Sequence, residues 1–137
     1  MGLVPVIAFD SNVFIYVLDE HPEFFASSRD ALNKAATEPT VISALVYTET
    51  LSKLSGQTFK ESLQWLNLIC QRGQITVMPI DINLATLAAQ LRSSHKQLKT
   101  PDAIHLATAI AKNAGTLFTN DRKLANIAKG YLKVKTL

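Results

Sequence analysis

Leu3-Val4-Pro5-Val6-Ile7-Ala8-Phe9-Asp10-Ser11-Asn12 is an apolar run that stops at a carboxylate. A continuous run of this kind reads as a strand buried on both faces, which means a parallel sheet covered by helices. Pro5 cannot donate to a ladder and is confined to an early or bulged position in that strand. The stretch Thr116-Leu117-Phe118-Thr119-Asn120-Asp121 repeats the arrangement near the other end of the chain. An acid where a buried strand stops does little for solubility. It is well placed to hold a divalent cation, because ligands of open α/β sheets bind outside the carboxyl ends of strands.

Between these two stretches the periodicity alternates. Strands are expected over 3–9, 40–43, 75–80, 116–119 and 131–135, the last an edge strand with Lys133 and Lys135 facing water. Helices are expected over 12–18, 22–36, from 44 through Leu54, 59–70, 81–95, 100–113 and 121–128. Gly56 is read as the end of the helix before it, and Gly115 as a stop after Asn113. Thr100-Pro101-Asp102 is a helix-start signature of capping hydroxyl, proline and first-turn acid. Strands alternating with helices imply right-handed βαβ crossovers in one α/β domain spanning 1–137. No internal repeat, linker or low-complexity segment interrupts it.

The chain is long enough to bury a core without staples, and its 47% hydrophobic content argues against disorder. Its single cysteine, Cys70, excludes an internal disulfide and a cysteine-based zinc site, so the expected compartment is the cytoplasm. No apolar run approaches the roughly 20 residues of a membrane span, and the start lacks the pattern of a signal peptide. Met1-Gly2 resembles a myristoylation start, but Val6 stands where Ser or Thr is needed. Charge is uneven. Residues 1–61 carry 4 basic against 8 acidic residues, and residues 62–137 carry 10 against 3. A basic surface around an acidic pocket suits a polyanion cut at a metal, although a solvated face without a partner gives the same count.

The candidate catalytic and metal-holding acids are Asp10, Glu49, Asp102 and Asp121. Each has an ordinary reading beside the functional one. Asp10 and Asp121 can cap the helices that follow them, Asp102 can answer a helix dipole, and Glu49 can be a surface residue. Asp10 and Asp121 would approach closely if their strands were neighbours, and two like charges at that range need a cation or proton between them. His105 lies one turn after Asp102 and reads first as a partly buried helix histidine, with a ligand role the less common alternative. His21 and His95 read as surface residues, and Asp19, Glu20 and Glu23 as a solvated cluster. There is no Ser–His–Asp arrangement, Gly-rich phosphate loop or His/Cys zinc spacing.

Phe9-Asp10-Ser11-Asn12-Val13, the helix around Glu49, Thr100-Pro101-Asp102-Ala103-Ile104 and Thr119-Asn120-Asp121-Arg122 together resemble the PIN-domain family. Within it they are most similar to the VapC-type toxins of toxin–antitoxin pairs. The resemblance covers nearly the whole chain. It implies a five-stranded parallel sheet in order 3-2-1-4-5, and convergence of Asp10, Glu49, Asp102 and Asp121 on Mg²⁺ or Mn²⁺. It implies supporting roles for Ser11, Thr119 and Asn120, a cognate VapB-type antitoxin and a homodimer. The implied activity is metal-dependent endoribonuclease action, with metal-activated water leaving a 5′-phosphate and a 3′-hydroxyl. Arg92, Lys96, Lys99, Arg122 and Lys123 are candidates for holding the RNA backbone.

Other classes remain open from sequence. A non-catalytic RNA-binding or scaffolding domain could retain the fold. A phosphohydrolase or receiver domain also uses strand-end acids, but Asn12 occupies the position of the second aspartate that a phosphohydrolase would show. Phe14, Tyr16, Phe24, Phe25 and Trp65 are apolar beyond the obvious needs of a small core, and some could form a dimer surface.

Overall fold

Alternating side chains in three short strands divide the interior into two layers. In the computed structural model, which describes residues 4–137, Ile7, Phe9, Ile42 and Phe118 pack on one face of the sheet with Val13, Phe14, Val46 and Leu66. Their strand neighbours Ala8, Val41 and Leu117 pack on the other face with Leu84, Leu91, Leu98 and Leu106. This is the period of two expected of strands buried on both sides.

The elements run β1 (Ile7–Phe9), α1 (Asn12–Leu18), α2 (Phe25–Lys34), β2 (Thr40–Ser43), α3 (Leu45–Leu51) and α4 (Gly56–Arg72). They continue as β3 (Ile75–Met78), α5 (Ile82–Ser94), α6 (Thr100–Ala111), β4 (Thr116–Phe118), α7 (Arg122–Ala128) and β5 (Lys133–Lys135). All four strand pairings are parallel and the order is β3-β2-β1-β4-β5, as the resemblance implied. β1 is therefore central and β4 is its neighbour, with Phe9 opposite Phe118.

The sequence expectations differ from the structure at particular residues. β1 begins at Ile7, so Val4, Pro5 and Val6 lie outside the regular strand. Pro5 explains the late start, since it has no N–H to donate. Leu3 and the Met1-Gly2 start lie outside the described residues. β3 stops at Met78, before Pro79.

Gly56 does not end a helix. It is the first residue of α4, with φ +57° after an extended Ser55. A Cβ there would meet open space, so the glycine is needed for its left-handed backbone and not for room. Thr100 does not cap α6 either: the cap position is Lys99, and Thr100 lies inside the first turn with Pro101 and Asp102. Because α6 buries Ala103, Leu106, Ala107 and Ala109, it packs flush against the sheet and brings its first turn to the carboxyl ends of the strands.

Candidate active site

Asp10 leaves the central strand almost wholly buried, at 4% exposure. Its Oδ1 accepts the backbone N–H of Asn12 at 3.0 Å, closing a local turn, and its Oδ2 accepts the Thr119 hydroxyl at 2.5 Å. Burial pushes the Asp10 carboxyl up to about 6. The Thr119 hydroxyl, the charge of His105 and the Asn12 N–H oppose that rise, while the charge of Asp102 adds to it. The capping role open to Asp10 is not the one it takes, since Ser11 holds the cap position of α1.

Asp121 follows β4 in the same way but does cap a helix. Its Oδ1 accepts the Leu124 N–H at 2.9 Å at the start of α7, and its own N–H donates to Thr119 Oγ1 at 3.0 Å. Thr119, fully buried, thus joins the two aspartates through one hydroxyl. Asn120 accepts the Leu137 N–H at 2.7 Å, which ties the end of the chain beside this loop.

Asp102, in the first turn of α6, is half-buried. Burial raises its carboxyl above the ordinary value, and the charges of Asp121 and Glu49 raise it further, against His105 and Lys99. Glu49 approaches from α3. Its Oε1 accepts the Ser11 hydroxyl at 3.0 Å and meets His105 Nε2 at 2.5 Å. Burial works against its ionisation, but the hydrogen bond and charge of His105, with Ser11, outweigh burial and hold Glu49 below its usual range.

The four acids therefore occupy one electrostatic neighbourhood: Asp10 feels Asp102, and Asp102 feels Asp121 and Glu49. Among the described residues no three His, Cys, Asp or Glu side chains already form a cation cage. The donors are nonetheless hard oxygens, and Mg²⁺ keeps several waters and needs only one or two carboxylates beside substrate phosphates.

Of the basic candidates, Arg92, Lys96, Lys99, Arg122 and Lys123 are all exposed. Lys99 is near enough for its charge to act on Asp102, and Arg92 spends its Nε on the Leu98 carbonyl at 3.0 Å. His105, which reads from sequence as an ordinary helix histidine, is the partner of Glu49. Its one local signal was the spacing of one turn from Asp102 on a helix whose other inward positions are small or apolar.

A cavity of about 330 Å³ between α2 and α4 is lined by Leu32, Ala35, Trp65, Ile69 and Gly73. It lies away from the acids, because Ala35 and Gly73 flank Gln74, whose carbonyl accepts from Thr40 at the start of β2. Among the described residues no helix is long and apolar enough to cross a membrane.

Comparison with known proteins follows the same lines. The family model described as PIN domain matches residues 7–130. A search of curated proteins finds no match. Among solved structures, VapBC2 from Rickettsia felis, bound to a DNA fragment from its promoter, superposes with a TM-score of 0.69 at 21% identity, covering 96% of this chain and 98% of that one. A toxin–antitoxin complex from Klebsiella pneumoniae gives 0.68 at 24% identity, covering 95% and 96%. The sarcin-ricin-loop-cleaving toxin VapC20 from Mycobacterium tuberculosis gives 0.71 at 15% identity, covering 94% and 98%.

Proposed function

The chain belongs to the PIN-domain family, and from that premise we propose that it is a metal-dependent endoribonuclease, the toxin of a VapBC-type pair. The observation that carries the reading is Asp10. A carboxylate buried at the end of the central strand, with its ionisation opposed by burial and by Asp102, suits a site whose charge is completed by a cation.

Asp10, Glu49, Asp102 and Asp121 would hold Mg²⁺ or Mn²⁺, with Ser11 and Thr119 orienting carboxylates and Asn120 supporting the loop beside them. When bound, the cation lowers the pKa of a water at the site and draws charge from a phosphoryl oxygen. Thr119 fixes Asp10 Oδ2, and Ser11 fixes Glu49 Oε1, so the carboxylates meet their ligand partly preorganised. Lys99, beside Asp102, and the exposed Arg122 and Lys123 at the start of α7 supply positive charge for the RNA backbone. Arg92 and Lys96 contribute more distantly. The structural relatives include toxin–antitoxin complexes, which supports a VapB-type antitoxin as partner, and the half-buried aromatic residues Tyr16, Phe24 and Phe25 support a homodimer surface. The cytoplasm is the expected site of action.

The test is incubation of purified protein with total cellular RNA and Mn²⁺ or Mg²⁺, beside EDTA and Asp10→Asn. Discrete fragments ending in 5′-phosphate and 3′-hydroxyl are expected, lost in EDTA and reduced more than about 100-fold by the substitution, since even residues supporting a metal ligand change activity about 10–100-fold. Binding without cutting by the metal-loaded protein would favour the non-catalytic domain. Cyclic-phosphate ends would exclude hydrolysis by water.

A further inference from the structure

His105 is 4% exposed on α6, whose other buried residues are Ala103, Leu106, Ala107, Thr108 and Ala109. Its Nε2 lies 2.5 Å from Glu49 Oε1, across 56 residues of sequence, and its Nδ1 is buried without a hydrogen-bond partner among the described residues. An ionised carboxylate only accepts, so Nε2 carries the proton of that bond.

Stability alone explains such a residue poorly. A buried imidazole with an unpartnered nitrogen is costly, and an apolar side chain of similar volume often serves a core equally well. The bond does achieve one geometric result. With the Ser11 hydroxyl at 3.0 Å on the same oxygen, His105 immobilises Oε1 of Glu49 and leaves Oε2 as the oxygen available to a ligand. The Glu49 side chain is 30% exposed against 2% for His105, so the histidine holds the carboxylate from its buried side.

We infer that His105 is a positioning residue that orients Glu49 for the divalent cation, a role that rests on the metal-site reading above. α6 thus contributes twice to the site, directly through Asp102 and one turn later through the histidine that orients the glutamate of α3. A free Glu49 would lose rotamer freedom on being fixed by a ligand. Holding one rotamer removes that loss from the binding step.

The experiment is calorimetric titration of Mn²⁺ into wild type, His105→Leu, His105→Gln, Ser11→Ala and Asp10→Asn, without RNA, with a melting curve for each. His105→Leu is expected to keep a cooperative melt, because Glu49 can turn to water, and to bind Mn²⁺ about 10–100-fold more weakly. His105→Gln, whose amide can donate to Oε1, should recover much of that loss, and Ser11→Ala should show a smaller one. If His105→Leu does not fold, His105→Met, of similar volume and without a donor to Oε1, takes its place with the same expected loss. Wild-type affinity in His105→Leu would overturn the inference, and so would tighter binding, which would make His105 a competitor for Glu49. No Mn²⁺ binding by wild type would overturn the metal-site reading itself and the inference with it. Binding lost in Asp10→Asn but unchanged in every His105 and Ser11 variant would overturn the inference alone.

Discussion

β1 and β4 run side by side, Phe9 against Phe118, and each passes the chain on through an aspartate at its carboxyl end. The two acids then live under opposite conditions. Asp121 is half-exposed, caps α7 through Oδ1, and has a complete local reason to be there. Asp10 sits on the central strand, buried, and its charge is disfavoured by its surroundings. Local sequence is the same kind of strand–acid–helix passage in both. Position in the sheet separates them: β1 is the middle strand of the five, and β4 is one step from the edge. The difference teaches that capping accounts for Asp121, whereas Asp10 is buried against its own ionisation, which the proposed cation would offset.

The largest effect that would sharpen this contrast is in metal-free stability. Asp10 has a folded pKa near 6 against 3.8 unfolded, so between those values the unfolded chain loses its proton first and stability falls as pH rises. The interval corresponds to about 3 kcal/mol, and above about pH 6 the contribution is flat. Asp102, also raised, has the same sign. Glu49, lowered, has the opposite sign and acts below its ordinary 4.5 as pH falls. Urea melts in EDTA at pH 4 and 7 should therefore show wild type losing most of that stability, which Asp10→Asn retains. Equal slopes in the two proteins would break the contrast.

Next in size is Thr119→Val, which removes the hydroxyl joining both aspartates. A loss of about 1–3 kcal/mol is expected from the buried groups left unpaired, read from the same melts. An unchanged midpoint would mean the bridge contributes nothing. Smallest is the cap: Asp121→Ala should lose about 1 kcal/mol, while Asp121→Asn, itself a good cap, should stay within a few tenths. If Asp121→Asn were as damaging to stability as Asp121→Ala, charge and not capping would be holding α7.

Much of this frame was legible in the sequence because it is local. The apolar runs ending at Asp10 and Asp121 mark two strand ends, and Thr40–Ser43 and Asn12–Leu18 coincide with observed elements. The order of strands came from the family resemblance and not from periodicity. Gly56 reads as a stop because a glycine after an apolar helix usually ends it, and only the backbone angle shows that it starts the next one. Thr100 looked like a cap because its neighbours fit that pattern, yet Lys99 holds the position. The Thr119 bridge and the Glu49–His105 pair span 109 and 56 residues, and no spacing rule reaches that far. Such contacts exist only once β1 lies against β4 and α6 lies against α3.

The most direct test of the central claim, that Asp10 is kept as a carboxylate for a divalent cation, is the melting temperature of wild type and Asp10→Asn at pH 7 in EDTA and in Mn²⁺. The two proteins should exchange rank: Asp10→Asn higher in EDTA, wild type higher in saturating Mn²⁺ because ligand binding to the native state adds stability. If Asp10→Asn melts lower in EDTA, or if Mn²⁺ leaves wild type unmoved, the carboxylate at the end of β1 has some other purpose.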